Sequence, residues 1–155
     1  PLTIAMLLNE MGWFDRGPIE IFASDASPAA VAKAQRGIYR ERSFRSLPPQ
    51  LRSKYFAQVS GASTWQVNDE LHKRIRFGVA NLMDDAQIAP FASVNAIFCR
   101  NVFIYFSESA ISKTVSSFAR YIRPPGYLYI GESESIFRLT TIFTLEENGH
   151  AFVYV

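Results

Sequence analysis

The chain has 155 residues, of which 48% are hydrophobic and 19% are charged, with a formal net charge of +2. This balance is ordinary for one globular domain, and no Lys/Arg run supports a nucleic-acid-binding arm. Arg40, Arg42 and Arg45 form a small local cluster, which we interpret by default as a solvated loop. The single cysteine, Cys99, excludes an internal disulfide and favours a reducing compartment. No apolar run is long enough to span a membrane, so we expect a cytoplasmic protein without membrane insertion.

The first quarter of the chain alternates helix and strand. Residues 2–13 carry apolar residues at helical spacing, and IEIFASD (19–25) is a short apolar run typical of a buried strand. The segment 27–36 predicts a second helix, with Ser27 as its N-cap and Gly37 at its end. Helix, strand, helix is the order of a parallel α/β sheet.

The middle of the chain breaks this order. PPQLRSKYF (48–56) predicts a short helix, and Ser60-Gly61 lies between runs that predict a small antiparallel hairpin. We therefore interpret residues 38–74 as an inserted β-subdomain, and residues 1–37 and 75–155 as the main domain.

The remaining sequence predicts further strands and a terminal hairpin. The predicted elements are strands at 74–82, 94–99 and 127–131, a helix at 107–122 with Ser107 as N-cap, and a hairpin over 142–155 around Asn148-Gly149. The sheet is therefore expected to end in an antiparallel pair.

The run VNAIFCRNVFIYF (94–106) reads like a strand buried on both faces, yet Arg100 and Asn101 stand in its middle. Burying an unpaired amide costs on the order of 1–3 kcal/mol, and burying an unpaired charge costs more. The two residues therefore either lie where the strand leaves the core or have a partner there. An ion pair of Arg100 with Asp25 or Glu132 would be such a partner.

Polar residues follow each predicted strand of the parallel sheet, where ligands bind in such folds. They are Asp25, Asn81, the pair Arg100 and Asn101, and the acids Glu132 and Glu134. A polar residue after one strand alone would be interpreted as a loop cap. Polar residues after every predicted strand favour a shared site. A carboxylate such as Asp25 can accept hydrogen bonds from a ribose diol, and Asn81 with Leu82 could contact an adenine ring. Glu132 and Glu134 themselves are interpreted as solvated loop acids.

Four segments in this order resemble the CheR-type chemotaxis receptor methyltransferases: ASDASPAAVAKAQRGIYR (23–40), VANL (79–82), FCRNVFIYF (98–106) and GESES (131–135). That family consists of protein-glutamate O-methyltransferases. The resemblance implies an α/β, Rossmann-like fold whose sheet ends in an antiparallel hairpin, with a small inserted β-subdomain. It also implies S-adenosyl-L-methionine as cofactor, S-adenosyl-L-homocysteine as product, and glutamates in the cytoplasmic domain of a methyl-accepting chemoreceptor as substrate.

The resemblance implies roles for individual residues as well. Asp25 would hold the ribose, Asn81 and Leu82 the adenine, Asn101 and Val102 would lie near the cofactor, and Tyr105 near the methyl-transfer centre. Apart from the resemblance, the guanidinium of Arg100 could pair with the substrate carboxylate. Three alternatives remain open: an ion pair for Arg100, a loop cap for Asn101, and an amphipathic core position for Tyr105. Cys99 is interpreted as a small buried residue, because His72 and His150 lie far from it in sequence, and no spacing suggests a metal site.

The resemblance also implies that the chain is a fragment, because it opens at Pro1 inside a helical pattern. The family's first strand and glycine-rich loop would then be missing from this chain. We expect such a fragment to bind the cofactor weakly and to form a non-native dimer through unpaired strand edges. The loop SGAST (60–64) is shorter than in members that grip a receptor's C-terminal peptide. A catalytically impaired binding or regulatory module and a small-molecule methyltransferase remain alternative functions.

Overall fold

The computed structural model describes residues 1–149 and 151–155, and His150, predicted to lie in the terminal hairpin, is outside the described residues. The chain divides into two compact units, the N-terminal unit (residues 1–79) and the C-terminal unit (residues 80–155). Across the described ranges, no helix combines the length and the apolar character needed to cross a membrane.

The predicted elements appear in the predicted order, and further short helices lie between them. Within the described residues the helices are α1 (Leu2–Glu10), α2 (Trp13–Arg16), α3 (Pro28–Arg36), α4 (Pro49–Tyr55), α5 (Asp69–His72), α6 (Asp85–Ala92) and α7 (Glu108–Tyr121), with 3-10 turns at Glu41–Phe44 and Phe103–Tyr105. The strands are β1 (Ile21–Asp25), β2 (Ile38–Arg40), β3 (Phe56–Gln58), β4 (Thr64–Val67), β5 (Ile75–Val79), β6 (Ala96–Cys99), β7 (Tyr127–Ile130), β8 (Leu145–Asn148) and β9 (Ala151–Tyr154). The predicted α/β class is confirmed.

The N-terminal unit contains a parallel strand pair and a separate antiparallel sheet. β1 pairs in parallel with β5, with Ile21 opposite Ile75. The antiparallel sheet has the strand order β2-β4-β3 and lies within residues 38–67. The parallel strand pair and the antiparallel sheet share one core. This core consists of Leu2, Ala5, Met6, Ile21, Tyr55, Val67, Leu71 and Ile75. Because of this shared core, the assignment of residues 38–74 to a separate subdomain stays a prediction.

Helix α3 begins and ends where the sequence predicts. The Ser27 hydroxyl oxygen accepts a hydrogen bond from the Ala30 amide at 3.3 Å, and Pro28 occupies the first helical position. Gly37 has a φ of 64°, and a Cβ at this position would lie 2.7 Å from Cγ1 of Val67. Glycine therefore permits both the left-handed backbone and the close passage from α3 into β2.

The C-terminal unit contains a mixed sheet with the strand order β6-β7-β9-β8. β6 and β7 are parallel, with Ala96 opposite Tyr127, whereas β9 runs antiparallel to both of its neighbours. The β8–β9 pair is the reversed hairpin predicted around Asn148-Gly149, and Gly149 has a φ of 65°. The expected antiparallel end of the sheet is confirmed.

Helix α6 was not predicted. Pro90 lies inside it and obscures the helical pattern, because proline usually ends a helix. Asp84 caps its first turn by accepting hydrogen bonds from backbone amides, which is the signal that could have revealed the helix. Asp85 accepts hydrogen bonds from Ser117 at 2.6 Å and Tyr121 at 2.5 Å, so its carboxylate ties α6 to α7.

The predicted strand at 94–99 is confirmed as β6, which ends at Cys99 and is followed by a 3-10 turn at Phe103–Tyr105. The interpretation that this strand is buried on both faces is wrong. Cys99 is buried, whereas Phe98 is 50% exposed and stacks on Tyr129 with ring centres 4.6 Å apart. Alternate side chains of a strand point to opposite faces, so β6 buries one face and leaves the other open.

Strands β1 and β6 each have a single hydrogen-bonded neighbour within the described residues. Such edges can pair with a second chain, so we predict that the isolated chain dimerises through them. Sedimentation velocity over a series of protein concentrations should show the dimer. Ala96→Lys, which places a charge on the β6 edge, should weaken the dimer. Ala151→Lys in β9, which has strand neighbours on both sides, is the control, and a monomer at every concentration would contradict the prediction.

Candidate functional site

The parallel strands β6 and β7 end at the same edge of their sheet, and one carboxylate joins the loops that follow them. Glu134 accepts hydrogen bonds from the backbone amides of Gly131 at 2.6 Å, Asn101 at 2.8 Å and Ile104 at 3.2 Å. Oε2 accepts the first two bonds and Oε1 accepts the third. The prediction that Glu134 is a solvated loop acid is therefore wrong, because its side chain fixes the loop after β6 to the loop after β7.

The charge state of Glu134 follows from these bonds. Partial burial raises the pKa of the carboxyl, but the hydrogen bonds from backbone amides outweigh it and hold the pKa below its ordinary value of 4.5. Cys99 lies nearby, and burial raises the pKa of its thiol to about 12, with the negative charge of Glu134 adding to the effect. The thiol therefore stays protonated at neutral pH, as expected for a buried packing residue.

Gly131 leaves the space that the Glu134 carboxylate occupies. A Cβ at Gly131 would lie 2.6 Å from Oε2 of Glu134 and 3.2 Å from the amide nitrogen of Asn101. The Glu134 amide also donates to the Gly131 carbonyl at 3.0 Å, which closes a tight turn. A glycine at a strand end with a glutamate three residues later is the signal from which this carboxylate could have been found.

Asn101 lies where β6 gives way to the loop, and its backbone is left-handed, with a φ of 60°. Asparagine tolerates this region better than most residues with a side chain. Its backbone amide is held by Glu134, but its exposed side chain has no hydrogen-bond partner among the described residues. The alternative that the Asn101 side chain caps the loop is not what the structure shows, so this amide group is available to a ligand.

Arg100 also lies beyond the end of β6, which confirms that the polar pair marks the point where the strand leaves the core. Its Nη2 atom is 3.8 Å from Oε1 of Glu132, and the two side chains are 52% and 96% exposed. An ion pair this exposed contributes about 0–1 kcal/mol. Arg100 therefore has no buried acid to neutralise, and its guanidinium can turn toward another anion.

Tyr105 ends the 3-10 turn, and its side chain is 82% exposed. The alternative that Tyr105 is a core residue is wrong. The turn is anchored by Phe103, which is buried, and by Val102, which packs against the same core. This anchoring presents the Tyr105 phenol to solvent on the loop that carries Arg100 and Asn101.

Asn81 and Leu82 lie at the start of the C-terminal unit, directly after its first residue. The Asn81 side-chain oxygen accepts a hydrogen bond from the Met83 amide at 2.9 Å, and the Asn81 backbone amide donates to Gln87 at 3.1 Å. The amide NH₂ of Asn81 has no partner among the described residues, and Leu82 is half-buried against the core. A fixed NH₂ donor beside an apolar side chain suits the edge and the face of a purine, and this role stays a prediction.

Asp25 is the last residue of β1, in the N-terminal unit. Its Oδ1 atom accepts a hydrogen bond from the Ser27 amide at 2.8 Å, which fixes the side chain at the start of α3. Its Oδ2 atom has no hydrogen-bond partner among the described residues, and the residue is exposed. One fixed and one open carboxylate oxygen suit a vicinal diol.

The chain is similar to known proteins of one family. Residues 1–152 match the family of the CheR methyltransferase, SAM binding domain. The chain belongs to this family. It is 35% identical over 145 residues to chemotaxis protein methyltransferase 2 of Vibrio cholerae, and 34% identical over 147 residues to the chemotaxis protein methyltransferase of Escherichia coli. It is 32% identical over 135 residues to the probable biofilm formation methyltransferase WspC of Pseudomonas aeruginosa.

These alignments cover 92%, 94% and 87% of this chain, but 50%, 51% and 31% of the three relatives. The chain therefore spans about half the length of the two chemotaxis relatives and less of the third. The name of the CheR domain family gives S-adenosyl-L-methionine as the cofactor, which confirms the cofactor predicted from sequence.

Groups that suit parts of a nucleoside are present in each unit, and their roles stay predictions. In the N-terminal unit the open oxygen of Asp25 suits a ribose diol, and in the C-terminal unit the NH₂ group of Asn81 suits the edge of an adenine.

Proposed function

We propose that the protein containing this chain methylates glutamate side chains in the cytoplasmic domain of a chemoreceptor, and does so in the cytoplasm. The observation that carries the proposal is the loop of Arg100, Asn101 and Tyr105, whose exposed side chains sit on a backbone that Glu134 holds in place. The membership in the CheR family and the names of its chemotaxis relatives support it.

Methyl transfer requires the protein mainly to orient the acceptor carboxylate toward the methyl group. S-adenosyl-L-methionine, when bound, supplies an activated methyl group on a positively charged sulfur. A glutamate acceptor is already ionised at neutral pH, so no general base is needed, and alignment supplies most of the acceleration. Arg100 would pair with the acceptor carboxylate through its exposed guanidinium. A weak, solvent-exposed pair suits this task, because holding the ground state too tightly would not speed the step.

The proposal is tested with the complete protein, a receptor cytoplasmic domain and S-adenosylmethionine labelled in its methyl group. The label should enter the receptor and be released as methanol by mild base, because carboxylate methyl esters are base-labile. Replacing the acceptor glutamates of the receptor by alanine should abolish the label. Cofactor binding without transfer would indicate a regulatory module, and label found only in a small molecule would indicate a different methyltransferase.

Asp25→Asn in the complete protein should weaken the binding of S-adenosyl-L-homocysteine roughly tenfold, because the ribose hydroxyls lose a charged acceptor. Asparagine keeps an oxygen for the Ser27 amide, so the start of α3 is preserved. Calorimetry measures the affinity, and Asp15→Asn, which removes an exposed acid elsewhere in the same unit, is the control. Equal affinities for the two variants would remove Asp25 from the ribose site.

A further inference from the structure

The loop of residues 81–84 carries the predicted adenine contacts, and it is held from two sides. On the first side, Gln87 of α6 accepts a hydrogen bond from the Asn81 amide at 3.1 Å and donates one to Oδ2 of Asp84 at 2.7 Å. Within the loop, the Asp84 amide donates to the Asn81 carbonyl at 2.9 Å, which closes a turn. These bonds fix the two ends of the loop, and the carbonyl groups of its two middle residues need other partners.

Helix α7 holds the loop from the second side, through those two carbonyl groups. The Lys113 ammonium donates to the Met83 carbonyl at 3.0 Å, and the Thr114 hydroxyl lies 3.5 Å from the Leu82 carbonyl oxygen. The first distance is ordinary for an N–H···O bond, whereas the second is long for a hydroxyl donor. A charged donor also makes the stronger bond, so Lys113 provides the main attachment of the loop to α7.

Lys113 has no acidic partner among the described residues, although its side chain is exposed. The two acids that follow Met83 in the chain are bound elsewhere. Asp84 accepts from amide groups of α6, and Asp85 accepts from side chains further along α7. An exposed lysine loses side-chain entropy when it is held at one carbonyl group. The charge of Lys113 is therefore directed at the loop backbone and not at a carboxylate.

These contacts determine which groups of the loop remain open. The carbonyl groups of Asn81, Leu82 and Met83 each accept a hydrogen bond from within the C-terminal unit. The open groups are donors, because the Leu82 amide and the Asn81 NH₂ group have no partner among the residues that the structure describes. The ring nitrogens of a purine are acceptors, so these two donors suit the edge of such a base.

We propose that Lys113 is a positioning residue for the purine end of the cofactor. Its bond to Met83 holds the 81–84 loop in the conformation that presents the two open donors to the base. A ligand that binds a loop already in place loses less free energy to ordering than one that must order the loop itself. Lys113 acts through the loop and is assigned no contact with the cofactor. The inference rests on the proposed function, because it takes this loop as the adenine site.

The test measures the affinity of the complete protein for S-adenosyl-L-homocysteine by calorimetry. Lys113→Met keeps the unbranched apolar stem and removes the donor, so it should weaken binding about fivefold, the loss expected for one hydrogen bond. Lys113→Arg restores a cationic donor and should return the affinity to within about twofold of the unmodified protein. Arg123→Met is the control, because it removes an exposed cation of the same unit whose side chain has no partner among the described residues.

A ligand without the base separates positioning of the loop from a general loosening of the fold. S-ribosyl-L-homocysteine keeps the ribose and the amino-acid part and lacks adenine. Its affinity, measured by displacement, should differ by less than about twofold between Lys113→Met and the unmodified protein. An equal loss for both ligands would overturn the proposal, because Lys113 would then only stabilise the unit. Unchanged binding of S-adenosyl-L-homocysteine by Lys113→Met, or a Lys113→Arg protein as weak as Lys113→Met, would overturn it as well.

Methyl transfer to the receptor domain is measured separately, so that the two proposals can fail independently. In Lys113→Met the KM for S-adenosylmethionine should rise while kcat is unchanged, because the lost binding is the same in the ground state and the transition state. A fall in kcat at unchanged KM would contradict a positioning role at the base. If the unmodified protein binds the cofactor and does not methylate the receptor, the proposed function fails and the binding results still decide the role of Lys113.

Discussion

Glu134→Gln should lower the free energy of unfolding by about 2–3 kcal/mol, because hydrogen bonds to a charged acceptor are worth roughly 1.5–3 kcal/mol. The glutamate accepts bonds from the backbone amides of Gly131, Asn101 and Ile104 with its two oxygens. Glutamine has one oxygen and an NH₂ group, so in either orientation an N–H donor faces another donor. Urea denaturation followed by circular dichroism measures the loss.

Glu132→Gln is the matched control, because this acid lies two residues away and its side chain is 96% exposed. Its stability should stay within about 0.5 kcal/mol of the unmodified chain. Equal losses for the two variants would contradict the role of Glu134 as a link between the loops.

The contribution of Glu134 should also depend on pH. Its pKa lies below the ordinary value of 4.5, so the folded state favours the ionised form. The stability that it contributes is fully present above the unfolded pKa and is lost as pH falls through the folded pKa. The stability difference between the unmodified chain and Glu134→Gln should therefore be largest at neutral pH and shrink below about pH 4.5. A difference that stays constant between pH 7 and pH 3 would exclude a titrating carboxylate as its cause.

Local signals in the sequence predicted the elements that depend on neighbouring residues. Helix α3 is bounded by Ser27 and Gly37, and each acts within one turn of its position. The hairpin at Asn148-Gly149 also depends on residues that are neighbours in the chain. Such elements can be predicted because the backbone preference and the tertiary fold agree.

The parts that could not be predicted depend on contacts between distant residues. Glu132 and Glu134 are the same residue type two positions apart, yet one is solvent-exposed and the other binds the amide of Asn101, 33 residues away. The sequence predicted the end of β6 at Cys99, but it did not reveal that Phe98 is half exposed. Composition cannot reveal which face of β6 is covered, because burial depends on elements elsewhere in the chain.

The Asn101 side chain can be removed without straining its backbone, which allows its ligand role to be tested separately. Asn101→Gly keeps the left-handed conformation at a φ of 60° and deletes the amide group. In the complete protein it should weaken cofactor binding and lower turnover while stability is unchanged or slightly higher. Asn101→Ala should lose the same affinity and about 1 kcal/mol of stability in addition, because a Cβ without polar compensation is unfavourable there. If Asn101→Gly binds cofactor normally, the side chain has no ligand role.

Arg100→Ala should impair methyl transfer without the loss of cofactor affinity that is expected for the Asn101 variants. We expect methyl transfer to fall about 100-fold, because the acceptor carboxylate is no longer aligned, while cofactor affinity stays within about twofold. Stability should hardly change, since the pair with Glu132 is exposed at both ends, whereas a buried pair would lose about 3–5 kcal/mol. Glu132→Gln removes the same ion pair and keeps the guanidinium, so it should retain methyl transfer. If Glu132→Gln loses activity as Arg100→Ala does, the ion pair and not the substrate explains Arg100; if neither variant loses activity, Arg100 lies outside the site.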